Sequence, residues 1–256
     1  MHGIARVLSK LGVASRTVAA DFIASGRVSL NGRVSRDPEE PADARRDRIE
    51  LDGRPVTGAA PVYLAMHKPA GLLTTAHDPQ GRPTVYGLLP LDLASWVFPV
   101  GRLDGPTSGL LLFTNDAAAG DALTNPDIGV PKTYELKVKR KVTAEEIEAL
   151  QKGVELEDGT LTRPAQCRVL PSAPGSTWLE LTIREGKNRQ VRRMGLAIGH
   201  EVVKLHRTRV GPVELGELPV GKCRPLTPAE IRAIKAIGRV SAQRAKRKDR
   251  PGATPS

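Results

Sequence analysis

The chemistry-bearing residues of this chain concentrate in Gly101-Arg102-Leu103-Asp104-Gly105-Pro106-Thr107-Ser108-Gly109. One carboxylate and one guanidinium share a turn bracketed by glycines, whose missing Cβ permits backbone shapes that other residues resist. Trp96, Val97, Phe98 and Val100 lead into the turn, and Leu110, Leu111, Leu112 and Phe113 lead out, which predicts an apolar strand on each side. A charge held between buried strands costs free energy unless it is paired or needed for chemistry. Two readings therefore stand on the local pattern. Arg102 and Asp104 form an ion pair that pins a hairpin, or Asp104 is a carboxylate kept for a reaction.

Elements elsewhere in the chain must position that turn. Val62–Met66 reads as a buried strand that ends in the turn His67-Lys68-Pro69-Ala70-Gly71, and Asp78–Val85 is a turn-rich loop carrying Arg82. Lys132-Thr133-Tyr134-Glu135-Leu136-Lys137-Val138 alternates as a half-buried strand does. By itself Tyr134 fits a core aromatic. Leu179, Leu181 and Ile183 alternate into Arg184–Met194, a run dense in cations whose Val191, Met194 and Ile198 give a helical apolar face. A charge run of this kind, taken alone, is a solvated face. Thr143 and Glu146 form a capping box for a helix closed by Gly153, and Pro228 opens another.

The formal net charge is +11 over 256 residues, with 3% aromatics. So basic a chain points to a polyanionic partner. No apolar run is long enough to span a bilayer, and Met1-His2-Gly3 opens no signal peptide, so RNA or DNA is a better partner than a membrane. Cys167 and Cys223, with the histidines, show no metal-ligand spacing and no disulfide framework. No metal is expected, and a reducing cytoplasm is.

A small module stands at the front. Ile4, Val7, Leu8 and Leu11 recur at helical spacing and stop at Gly12. Ser15 is placed to cap a second helix that ends at Gly26, and Asn31-Gly32 turns a short β segment. Arg6, Lys10, Arg16, Arg27 and Arg33 fall at exposed positions. This basic face fits either an ordinary solvated surface or an RNA contact. Thr57–Pro61 is the expected linker to a larger α+β domain, in which strands outnumber helices. After Ile237 no apolar period survives, and residues 237–256 are expected to be a disordered basic tail.

The turn at Asp104, with Thr107–Leu112 and Thr114-Asn115-Asp116 after it, closely resembles the Gly-Arg-Leu-Asp motif of the RsuA/RluB family of ribosomal RNA pseudouridine synthases. Gly105-Pro106 stands where a polar pair is usual. Lys132–Val138 has the form of the family's second motif, and Glu185-Gly186-Lys187-Asn188-Arg189-Gln190-Val191-Arg192-Arg193-Met194 is close to its third. The string Gly12–Arg16 followed by Ser25–Val34 resembles the S4 RNA-binding domain.

The resemblance implies a pseudouridine synthase fold over residues 62–236, a mixed and mostly antiparallel sheet with flanking helices. An S4-like module over residues 1–58 precedes it. It further implies that Asp104 is the catalytic carboxylate, that Tyr134 stacks on the target base, that Lys187 pairs with Asp104, and that Arg102 fills the space the base vacates. RNA contacts are expected from Arg6, Ser15, Arg16, Arg27, Asn31, Lys68, Arg82, Lys132, Asn188, Arg189, Gln190, Arg192 and Arg193.

The implied reaction breaks the uridine N1–C1′ bond and rejoins the base through C5. It involves no net oxidation and no group donor, so no cofactor is expected. A monomer acting on ribosomal RNA is expected. Gly81–Val85 and the third motif lean toward the large-subunit (23S) RNA, with a 16S target as the alternative. A catalytically inactive ribosome-assembly factor would share charge and fold but should have lost Asp104, Tyr134 or Lys187, and all three are present. A metal-dependent nuclease would want clustered acids, and no carboxylate follows Asp104 before Asp116.

Overall fold

Short amphipathic segments build the front of the chain. In a computed structural model that describes residues 1–93, 95–171 and 175–248 (side chains to 240), α1 (Ile4–Lys10) buries Ile4, Ala5, Val7 and Leu8. These pack with Ala19 and Ile23 of α2 (Arg16–Ala24) and with Val28, Leu30, Ala42 and Ile49. The Ser15 hydroxyl accepts from Val18 N at 3.1 Å, capping α2. Strands β2 (Val28–Leu30), β3 (Arg33–Val34), β5 (Ile49–Leu51) and β6 (Arg54–Pro55) form an antiparallel sheet in the order β3-β2-β5-β6. β1 (His2–Gly3) pairs with β4 (Pro41–Ala42).

The chain divides into two compact units, and the first is larger than the residues 1–58 expected. It comprises residues 1–63, 89–99 and 113–117. Trp96 N donates to Gly12 O at 2.8 Å. The Asn115 carboxamide accepts from Val62 N at 2.7 Å and donates to Ala60 O at 3.0 Å. Side-chain bonds from distant sequence thus hold the expected linker, which no local pattern signals. β8 (Phe98–Pro99) pairs in this unit with residues 113–114.

The second unit is organised by one mixed sheet in the order β11-β12-β10-β13-β9-β7-β15. Its strands are β7 (Tyr63–Lys68) and β9 (Ser108–Thr114), apart from residues 63 and 113–114 of the first unit, then β10 (Lys132–Lys139), β11 (Gln166–Leu170), β12 (Ser176–Ile183), β13 (Val202–Val210) and β15 (Cys223–Pro225), with β14 (Val213–Glu214) beside β13. Pairing is antiparallel at β11–β12, β12–β10, β10–β13 and β15–β7, and parallel where β13 meets β9. The alternation expected in β12 buries Thr177, Leu179, Leu181 and Ile183.

Helices α3 (Ala117–Thr124), α4 (Ala144–Lys152), α5 (Gln190–Ala197) and α6 (Pro228–Lys248) complete the element order. The capping box at Thr143 and Glu146 forms as expected. The expected disordered tail is corrected at its start, since α6 continues through residue 248. Beyond Gly238 its Ala, Arg, Lys and Gln residues favour helix even without an apolar period. Residues 249–256 lie outside the described residues. No helix among the described residues is long and apolar enough to cross a membrane.

Candidate active site

The turn that carries Asp104 is held from within by a buried ammonium. Lys68, at the end of β7, is fully buried, and its Nζ donates to the carbonyls of Pro69 (3.0 Å), Asp104 (3.3 Å), Gly105 (3.3 Å) and Thr107 (2.8 Å). Burial pulls this amine down to about 8, with Asp104 opposing the shift and Arg207 adding to it. The expected RNA contact at Lys68 is therefore corrected. A charge with no exposed surface, spent on four carbonyls, fixes the turn. Thr74 adds a bond to Leu103 O at 2.7 Å.

Gly109 decides how closely the turn approaches β13. Its φ is +108°, and a Cβ there would lie 2.2 Å from the Arg207 carbonyl oxygen. Only glycine fits such an approach. Arg207 pairs in register with Gly109 on one side and with Tyr134 of β10 on the other. One row across three strands therefore links the motif turn to the tyrosine.

These elements enclose a cavity of about 500 Å³. Asp104, Arg102, Lys132, Tyr134, Lys187, Arg189 and Arg207 line it, with apolar walls from Leu103, Ile183, Val191 and Leu205. The Asp104 side chain is 35% exposed, and its ion-pair partner is Arg189, with Nη1 3.9 Å from Oδ2. Neither Arg102 nor Lys187 forms that pair. Arg102 is exposed at the cavity, so the hairpin-pinning Arg102–Asp104 contact is not made.

Lys187 is the larger correction. Its Nζ donates to Leu161 O at 3.1 Å and lies 3.7 Å from Glu185. The loop before α5 turns it there, because Lys187 N donates to the Gln190 side chain at 3.0 Å. Gln190 in turn bonds Glu185 in the interior and braces the loop, so it does not present itself to RNA as expected. Arg189 caps α5 from a left-handed backbone (φ 47°), and its guanidinium takes the place expected of Lys187. Asn188 is exposed at the cavity.

The remaining cations sort by their partners. Arg192 donates to Val202 O at 2.9 Å, and burial, then Arg189, lower its pKa while Asp104 opposes them. Arg193 is held by Glu157 and Asp158, each at 2.6 Å, with its side chain only 15% exposed, so it is not available as the phosphate ligand expected. Arg82 grips Asp78, whose carboxyl it holds down to about 2. Lys132 donates to Val130 O at 3.1 Å, and burial, then Arg207, pull it down to about 8.

In the first unit Arg16 pairs with Glu39 at 2.6 Å. Arg27 pairs with Asp52 through two bonds and lies over the Phe22 ring. Asn31 serves its own turn by bonding Asp47 and Arg48 N, and Ser15 serves its helix. Arg6 is exposed and has no carboxylate partner among the described residues.

The cavity thus carries one carboxylate and one buried tyrosine among several cations. The RNA pseudouridylate synthase family description matches residues 62–197, and the S4 domain matches residues 3–49. The chain belongs to the RNA pseudouridylate synthase family. It is 38% identical to the ribosomal large subunit pseudouridine synthase B of Bacillus subtilis, over 93% of this chain and 97% of that protein. It is 40% identical to the protein of the same name from Pseudomonas aeruginosa, over 88% of this chain and 60% of that one. A crystal structure of a pseudouridylate synthase superposes with a TM-score of 0.67 at 30% identity, covering 91% of this chain and all of that one. The expected α+β synthase fold and front S4 domain are thereby shown, and the synthase isomerises uridine in RNA.

Sequence reasoning missed Arg207. It sits two residues from Leu205 in β13 and shares that residue's buried phase, so an arginine in an apolar phase was the available signal.

Proposed function

We propose that this synthase converts a uridine of large-subunit ribosomal RNA to pseudouridine, with Asp104 as the reacting carboxylate. The observation that carries the chemical assignment is the setting of Asp104. It is the one acid lining a cavity whose other charged residues are all cations, with its backbone clamped by Lys68 and its carboxylate 3.9 Å from Arg189. The choice of RNA is supported by two relatives whose names specify the large subunit.

The target uridine must leave its stack before its glycosidic bond can meet a carboxylate in a cavity. Tyr134 offers a face for the base, Arg102 at the mouth is placed to hold the emptied position, and Asn188, Lys132 and Arg192 border the path of the backbone. Arg189 keeps a positive charge facing Asp104. The front S4 unit adds phosphate contacts, and structured RNA is recognised largely through shape and backbone. The enzyme acts as a monomer in the cytoplasm, a setting that its two free cysteines fit.

Asp104→Asn tests the assignment, since it keeps shape and removes charge. Incubated with large-subunit and small-subunit rRNA transcripts, the unaltered enzyme should form pseudouridine in the large-subunit RNA alone. The variant should bind that RNA with nearly unchanged affinity and form no product. Product from the variant would overturn the role of Asp104, and product in the small-subunit RNA would overturn the target.

A further inference from the structure

Buried polar atoms in folded proteins are nearly always hydrogen-bonded, and an orphaned one is costly. Among the described residues three buried side-chain atoms lack a partner: Thr107 Oγ1, Arg192 Nε and Arg207 Nη2. All three belong to the surroundings of one turn. Thr107 and Arg207 line the cavity, and Arg192 donates to Pro106 O at 3.4 Å.

Arg207 is the most demanding of them. It is 3% exposed, its Nε is spent on Leu110 O at 2.8 Å, and no carboxylate among the described residues forms an ion pair with it. It depresses both neighbouring lysines, Lys68 and Lys132, so it adds positive charge where positive charge already accumulates. Its Nε serves the fold, and its Nη2 is left for an acceptor that a ligand would supply. Its position says which part of the ligand. Arg207 is the registered cross-strand neighbour of Tyr134, so the two side chains leave the same face of the sheet.

We propose that Arg207 is a catalytic residue whose free terminal nitrogen donates to a carbonyl oxygen of the target uracil. This rests on the synthase reading above. When the N1–C1′ bond breaks, its electron pair stays on the base, and the negative charge spreads over N1, O2 and O4. The base turns, and C5 attacks C1′ with the pair of the C5=C6 bond. The C5 proton then leaves, and N1 takes up one proton, so the product is an isomer with no atom gained or lost. A fixed cation at a carbonyl oxygen stabilises the base most while it carries that charge. This is the form of stabilisation that raises rate more than affinity.

The test is a cycle between Arg207→Met and substrates with a weakened acceptor. Large-subunit rRNA transcripts are made with uridine, with 2-thiouridine or with 4-thiouridine, because a thiocarbonyl accepts hydrogen bonds poorly. Product is read by nucleoside chromatography under single-turnover conditions. On uridine RNA the variant should lose about 100- to 1000-fold in rate, with RNA affinity held within a few fold. On one of the thio transcripts the unaltered enzyme should slow, and the variant should show little further loss.

Multiplicative losses on both thio transcripts would overturn the proposal, as would an unchanged rate. A loss confined to affinity would make Arg207 a phosphate ligand and also overturn it. Should Arg207→Met fail to fold by thermal denaturation, Arg207→Lys carries the same cycle. Failure of the unaltered enzyme to convert uridine RNA would instead strike the proposed target.

Discussion

Arg189 reaches Asp104 across 3.9 Å from a residue held in the left-handed region, at φ 47°. That backbone costs about 1–2 kcal/mol for a residue with a Cβ, and it is kept where the side chain meets the carboxylate. Local strain maintained at such a point is a mark of function. The pair is partly open to solvent, and open pairs contribute at most about 1 kcal/mol to stability. The contact therefore serves the site more than the fold.

Arg189→Gln should accordingly lower single-turnover pseudouridine formation by about tenfold or more while leaving the melting temperature nearly unchanged. Lys187→Met should do less to the rate, because its ammonium is spent on Leu161 O and Glu185. Rates measured side by side on one rRNA transcript decide between them. A larger loss at Lys187 would restore the pairing that motif position suggested.

What the sequence shows of this site follows from what local pattern can carry. Asp104 and Tyr134 were legible, since a glycine-bracketed turn and an alternating strand are local, and both residues line the cavity. The partner of Asp104 was not, because a two-residue difference in a loop is settled by the turn that Gln190 and Glu185 impose. Lys68 read as a surface cation because nothing nearby reveals that three carbonyls of a distant turn, with that of Pro69, surround it. The boundary of the front unit escaped for the same reason. Asn115 and Trp96 join it through bonds that span the sequence.

Lys132 should make RNA binding sensitive to mildly alkaline pH. Its ammonium lies at about 8, below the ordinary 10.5. The free enzyme thus loses that charge as pH rises through about 8, and affinity for a phosphate-bearing ligand should fall over the same range. The sign for stability is opposite. The folded state binds fewer protons than the unfolded chain between about 8 and 10.5, so this group's cost to folding shrinks as pH rises there. Lys132→Arg, which stays charged, should flatten the affinity profile between pH 7 and 9 measured by titration. A profile that kept its slope in the variant would assign the titration to another group.

The salt dependence of binding should report which cations of the front unit meet RNA. Each phosphate contact that is lost reduces the slope of log affinity against log salt by about 0.7 to 0.9. Arg16 and Arg27 are already neutralised by Glu39 and Asp52, and Arg27 also covers the Phe22 ring. Arg6 and Arg33 are exposed without a carboxylate partner among the described residues. Arg6→Ala and Arg33→Ala should each make the slope shallower, and Arg16→Ala and Arg27→Ala should change it less. Point substitutions suit this question better than cutting at residue 58, because residues 89–99 and 113–117 belong to the same compact unit and would be stripped of their packing. Affinity for one rRNA fragment over a salt series, with all four variants, supplies the comparison. Equal slopes across the set would mean that this face of the unit is only a solvated surface and that the phosphate contacts lie elsewhere.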